Sequence, residues 1–269
     1  MATEDDTIKT ATSVVALMGE LIKAAGDNPE VKEAGKNLGK TALTITKAIN
    51  NALLPLAAVN FGFDKAKKYF SEKFEQDLSD KVTAIPIEHI LEPKASIAGP
   101  ALQGLAFAHE ELNLKDMYLS LLATAMDGRV ASEAHPAFVE IIKQLDSEEA
   151  SAIRKILQTP HFFSIVEVLL YSNNGLRTVV KHMLDSVDIP IENPKRAAMV
   201  DNWIRLGLVD VNYDRTLAGI DAYAWVSNMP ELLRCRQKYE NDTDTLDFRR
   251  GIIGRTAFGE QFAKVVGLA

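Results

Sequence analysis

Pro86, Pro93 and Pro100 recur at seven-residue intervals in "AIPIEHILEPKASIAGPAL" (84–102), and that spacing rules out one long helix through the segment. The residue before a proline is pushed out of the helical region. The window is therefore expected to run extended, with short strand-like pieces, and a helix to begin near Pro100. On the N-terminal side, residues 8–26, 31–58 and 62–78 carry apolar residues at three- and four-residue spacing and predict helices. Ile8, Ala11, Val15, Met18 and Ile22 share one face of the first. In the second, Gly35 and Gly39, then Ala48 and Ala52, stand four apart, which lets helix backbones approach closely. Pro55 should kink or end that helix.

Beyond the prolines, helices are expected at about 100–110 and 113–126, the second capped by Asn113. Gly128 ends it and opens a turn. Pro136 fits the first position of the next helix, where its missing N–H is not needed. Phe138, Ile141, Ile142 and Leu145 then share a face, and Ser147 with Glu148 and Glu149 starts another helix. The C-terminal third predicts helices at 147–157 and 175–185, a helix after Pro194 ending at Gly207, and a strand "LVDVNY". Residues 249–255 read as the returning strand, and Thr256 caps a closing helix. The expected fold is thus mainly α: an N-terminal helical region, 1–145, followed by a winged-helix-like unit with a small β-hairpin, 146–269. One departure stands out. The segment 214–248 separates the two strands where a wing is short, and a helix is expected within it at 230–240.

A composition of 47% apolar and 25% charged residues is that of a soluble globular protein. The net charge is −7, and acidic residues outnumber basic ones on both sides of residue 146. Bulk attraction to nucleic acid or anionic lipid is therefore not expected, although a local basic patch would still serve. Cys235 is the only cysteine, which excludes an internal disulfide and suits a reducing compartment. "MATEDDTIKTATSVV" lacks the basic start and apolar run of a signal peptide. Residues 42–63 carry Lys47, Asn50, Asn51, Pro55 and Asn60, too polar for a stable membrane span. The expected location is cytoplasmic, peripheral to the inner membrane on activation.

Two Arg–His pairs match the loose spacing of a ribonuclease motif: Arg129 with His135, and Arg177 with His182. The first straddles a turn and a helix start. The second lies in the expected helix 175–185, where a spacing of five residues turns the side chains well apart. Neither is read as catalytic. His89, His109, His135, His161 and His182 include no pair three or four apart, so no metal is expected, and no phosphate loop or nucleophile elbow calls for a cofactor. Asp127 and His135 flank one loop and are expected to hydrogen-bond across it, with Phe138 inserted between the flanking helices. Lys195 and Arg196, with Arg249, Arg250 and Arg255 on the returning strand, form the best nucleic-acid-binding candidate. Trp203 and Trp225 are expected core anchors. The Ala-, Gly- and Thr-rich helices over 8–58 could instead attack a bilayer once triggered, with Lys65, Lys67 and Lys68 meeting anionic headgroups.

The stretch "ILEPKASIAGPALQGLAFAHEELNLKDMYLSLLATAMD" followed by "HPAFVEIIKQLDSEEA" resembles the bacterial abortive-infection alpha family, as do "NWIRLGLV" and "TAFGEQF". The likeness covers about residues 30–269 and is strongest over 90–150. Asp127, His135, Pro136, Phe138 and Gln144 are the shared positions in the turn. The resemblance implies anti-phage defence and carries over no catalytic residue. The expected role is a non-enzymatic effector or sensor acting through protein contacts or triggered membrane disruption, with a protein or phage-derived trigger as partner. Self-association through the Ala/Gly-rich helices is also expected. A nucleic-acid-binding regulator is the alternative, and a ribonuclease the third reading.

Overall fold

The computed structural model describes residues 29–59, 62–184 and 195–269, so the helix expected over 8–26 lies outside the described residues. The chain divides into two compact units: Met1–Ser147 with Val265–Gly267, and Glu148–Lys264 with Leu268–Ala269.

The first unit is helical. Helix α1 (Pro29–Val59) buries Ala42, Ile45, Ile49, Ala52 and Leu56, a single stripe at three- and four-residue spacing. Pro55 does not end it. The segment expected as one helix over 62–78 is two, α2 (Phe63–Glu72) and α3 (Phe74–Val82). They part at Lys73, whose φ of −125° leaves the helical region. Tyr69, Phe70 and Phe74 meet edge-to-face at this joint, with centroids 5.3 to 6.3 Å apart.

Helix α4 (Ala95–Ala108) begins five residues before Pro100, contrary to the sequence expectation. The proline therefore sits in the second turn, where it removes one backbone hydrogen bond, a cost of about 3 kcal/mol. Burial outweighs that cost. Ile97, Ala98, Ala101, Leu102, Leu105 and Ala106 are all buried, and at about 1.5–3 kcal/mol for each large side chain the two leucines and the isoleucine exceed it. Helix α4 packs against α1, α5 (Leu112–Met126) and α6 (Pro136–Ile142), which is why it is apolar on nearly every side. Gly104 lets Tyr118 of α5 lie directly on its backbone; a Cβ there would collide with the phenol ring. Asn113 does not cap α5, which starts after Glu111 without a side-chain cap.

The second unit overturns the expected fold class. It holds a four-stranded antiparallel sheet, ordered β2-β1-β4-β3, so the protein is mixed α and β, and among the described residues this sheet stands where a winged helix with a small hairpin was expected. After α7 (Ser147–Gln158) come β1 (Phe163–Ser172) and β2 (Gly175–Leu184), the latter where a helix over 175–185 was expected. A hairpin joins them: Ser172 faces Gly175, which takes φ 115°, with Asn173–Asn174 between. Helix α8 (Arg196–Arg205), β3 (Val209–Asn212), α9 (Pro230–Tyr239), β4 (Thr245–Arg255) and α10 (Ala257–Val265) complete the unit.

β3 does pair with the end of β4, Val209 facing Arg255 and Asn212 facing Ile252. That pair is the edge of the larger sheet rather than an isolated wing. The long segment between β3 and β4 has a structural task. Tyr223, Val226, Met229 and Leu232 from it pack on Val166, Val168, Leu170, Met183 and Leu246 of the sheet. The expected anchors divide, Trp203 fully buried and Trp225 half-buried with its indole N–H on Ser164 Oγ at 2.9 Å.

The two motifs "NWIRLGLV" and "TAFGEQF" meet each other. Gly207, at φ 73°, ends α8, and the Leu208 N–H reaches back to the Trp203 carbonyl. Thr256 Oγ1 donates to the Gly207 carbonyl at 2.6 Å and accepts the Gly259 N–H at 2.8 Å, capping α10 as expected. Gly259 lies so close to the Leu208 carbonyl that no Cβ fits.

Candidate functional site

The turn between α5 and α6, with α6 and its C-terminal end, holds the shared family positions, and Asp127, Arg129, His135 and Gln144 there each have a partner within the chain. Asp127 is buried. Its carboxylate accepts the Arg129 N–H at 3.0 Å and Nη2 at 2.6 Å, with Nε at 2.9 and 3.2 Å. Those hydrogen bonds from Arg129 hold the Asp127 carboxyl below the usual carboxylate range. The backbone closes the turn as well. The Asp127 carbonyl accepts from Val130 and Ala131, while the Gly128 N–H donates to the His89 carbonyl at 2.7 Å and Leu91 N–H to the Met126 carbonyl. "ILEP" is thus the strip that the turn is laced to, Ile90 forming a bridge with Asp127.

The hydrogen bond expected between Asp127 and His135 is not formed. His135 caps α6 instead, its Nδ1 accepting the Ala137 N–H at 3.1 Å, which leaves the proton of a neutral ring on Nε2. Pro136 occupies the first position of α6. Phe138 is fully buried beneath His135, ring centroids 6.0 Å apart. Gln144 closes the other end, Nε2 donating to the Glu140 carbonyl at 2.7 Å. Arg129, which the sequence made a nuclease candidate, is the partner of Asp127.

The cations expected to face nucleic acid do not form one patch. Arg196 is buried and donates to Glu231 at 3.1 Å. Arg255 is nearly buried, with Nη1 on the Leu157 carbonyl at 2.8 Å and Nη2 on Glu260 at 2.6 Å. Arg249 and Arg250 are successive residues of β4 and so project to opposite faces. Arg249 pairs with Glu167 at 2.5 Å and lies over Tyr213; Arg250 lies over Tyr223. Lys195 is exposed at the start of α8.

A polar network in the second unit escaped the sequence reading. The register of β1 against β2 slips twice: Val166 faces Met183, Val168 faces Val180, and Leu169 faces Thr178. β2 therefore carries extra residues, as β-bulges do. His182 sits in the first bulge with φ 55°, the one non-glycine positive φ among the described residues. It is only 3% exposed. Nε2 meets Asp201 Oδ1 at 3.1 Å, and Nδ1 meets the Tyr213 hydroxyl at 3.0 Å.

With Asp201 ionised, Nε2–H donates and Nδ1 accepts the phenol proton, so the imidazole is neutral. Burial lowers the His182 pKa despite Asp201. Burial also works to raise the Asp201 carboxyl, but hydrogen bonds from Lys181 and His182 hold it low. The Tyr213 phenol is pushed up, first by burial and then by Glu167. Arg177, the other half of the second Arg–His match, lies over the Tyr239 ring instead. In both matches the Arg and His serve different partners. The readable signal for this region was Asn173-Asn174-Gly175 between runs rich in valine, a hairpin signature.

The class of the protein is set by sequence likeness, which points to abortive infection, a defence role in general. Residues 66–266 match the sequence model of one family in that class, described as abortive infection alpha, and the chain belongs to that family. Comparison with curated proteins and with solved structures found no match.

Proposed function

We propose that the protein acts in abortive infection as a non-enzymatic effector or sensor, working through contacts with a protein or phage-derived partner from the cytoplasm. One observation carries this reading. Asp127, Arg129, His135 and Gln144, the polar side chains of the family-typical turn, are engaged in closing that turn and capping its helix. Chemistry at this site would require groups that the fold already uses. The membrane mode has less support. The apolar stripe of α1 is spent in the core, and among the described residues no helix is long and apolar enough to cross a membrane. The nucleic-acid reading loses the buried Arg196 and the nearly buried Arg255 from its proposed face.

The test is phage protection by cells carrying H135N/H182N. Asparagine caps helices and tolerates positive φ, so both positions keep their backbone while losing the imidazole. Protection equal to wild type is expected. A variant that melts normally yet no longer protects would overturn the proposal and restore the ribonuclease.

A further inference from the structure

A cleft in the first unit gathers positive charge that the net acidity of the chain would not suggest. Its volume is about 440 Å³, and it is lined by Lys65, Lys68, Lys73 and Lys115 with Tyr69 and His109. Ligand sites commonly begin at about 300 Å³. The floor is rigid: Tyr69 is buried, its ring stacked on His109 at 5.1 Å, its hydroxyl donating to Asp77 at 3.0 Å. Lys115 is held at the rim of this floor, 2.8 Å from Asp77 and 5.9 Å above the Tyr69 ring.

The four ammonium groups are unequally neutralised. Lys115 has Asp77, and Lys65 has Glu110, with both carboxylate oxygens at 3.0 Å. Lys68 reaches Glu72 only at 4.0 Å. Among the described residues Lys73 has no carboxylate partner. It stands at the break between α2 and α3, so the backbone departure there swings one more amine toward the cleft. Two amines with weak or no compensation match an anion of about two charges, the state of a phosphomonoester near neutral pH. The exposed Lys65–Glu110 pair is worth little in water and is readily exchanged for a phosphate oxygen. A second hollow of about 360 Å³, reaching Leu56, Phe63 and Phe107, shares Lys65, His109 and Glu110 with the cleft. It offers apolar room for whatever the phosphate is attached to.

We propose that this cleft binds a phosphate-bearing ligand, with Lys65, Lys68, Lys73 and Lys115 as its cations and the Tyr69–His109 pair as its floor. The inference does not depend on whether the protein then acts by contact or on a membrane. The phosphate belongs either to a soluble monoester or to a lipid headgroup.

The full chain is tested by calorimetry against adenosine monophosphate and inorganic pyrophosphate, and by co-sedimentation with vesicles of phosphatidic acid or of phosphatidylcholine alone. Saturable binding to the soluble probes assigns a free phosphate; binding confined to phosphatidic acid vesicles assigns a headgroup; either supports the cleft. K68E/K73E changes exposed side chains and should weaken binding by about tenfold or more, since charge-assisted contacts are the strong ones. K47E/K94E makes the same change of charge elsewhere and should leave it intact. E110Q frees Lys65 and should tighten binding a few-fold. No saturable binding to any probe, or equal loss in the two charge-reversal variants, would overturn the proposal.

Discussion

Asp127 and Asp201 each hold a basic side chain, but by different routes. Asp127 closes on Arg129 two residues away, and the guanidinium it holds is 45% exposed. Asp201 lies on α8 and reaches His182 on a bulged strand, which in turn reaches Tyr213 beyond β3. The Asp127–Arg129 pair is complete within a turn, whatever else that turn is laced to. The second exists only when three elements have been assembled, and its central ring is shut away from water. Water takes up Arg129 when the first pair is broken; in the second the half-exposed Asp201 is also reached by water, and the buried imidazole is not.

His182→Ala should be the most damaging change, costing about 3 kcal/mol, because it empties a buried site, takes the partner from the Tyr213 hydroxyl and puts alanine at a positive φ. Chemical denaturation would show it; a loss below about 1 kcal/mol would erase the contrast between the two sites. The same site predicts a pH dependence. The folded pKa of His182 lies below the unfolded value of about 6.5, so the unfolded chain takes up the proton first. Stability is therefore present above that value and falls as the pH drops beneath it. Lys181, Asp201, Tyr213 and Glu167 face the ring, and H182N should flatten the slope.

Asp127→Asn should cost less, about 1–2 kcal/mol, since Arg129 returns to solvent when released. His135→Ala should cost about 1 kcal/mol through the lost cap, with H135N restoring nearly all of it; equal losses for the two would remove the capping role.

Part of the first site, and several helix ends elsewhere in the chain, were legible because their causes are local. Pro136 after His135, the acidic start at Ser147, and the Gly207 and Thr256 helix ends each act within a few residues. The Asp127 partner was misassigned because an adjacent arginine in a tight turn outcompeted a histidine already used as a cap. Pro100 misled for a different reason. A local rule placed the helix start there, and the burial of α4 on three sides overrode it. The second site was illegible in principle from periodicity. Two bulges in β2 spoil the alternation of a strand, leaving Leu176, Val180, Met183 and Leu184 at spacings that imitate a helix. The lysine cleft is assembled from α2, the break at Lys73 and α5, and no window of sequence contains it.

The sheet order carries a consequence in time. β1 is an inner strand whose neighbour on one side, β4, pairs Phe163 with Ile253 and so emerges from the ribosome about 90 residues later. At about 5–20 residues per second, one edge of β1 waits roughly 5–20 s for its partner. The helices of the first unit, built from contacts closer in sequence, can be in place well before then. A nascent chain halted short of β4 would expose an apolar strand edge with nothing to cover it, so the second unit is where synthesis, chaperone capture and aggregation compete.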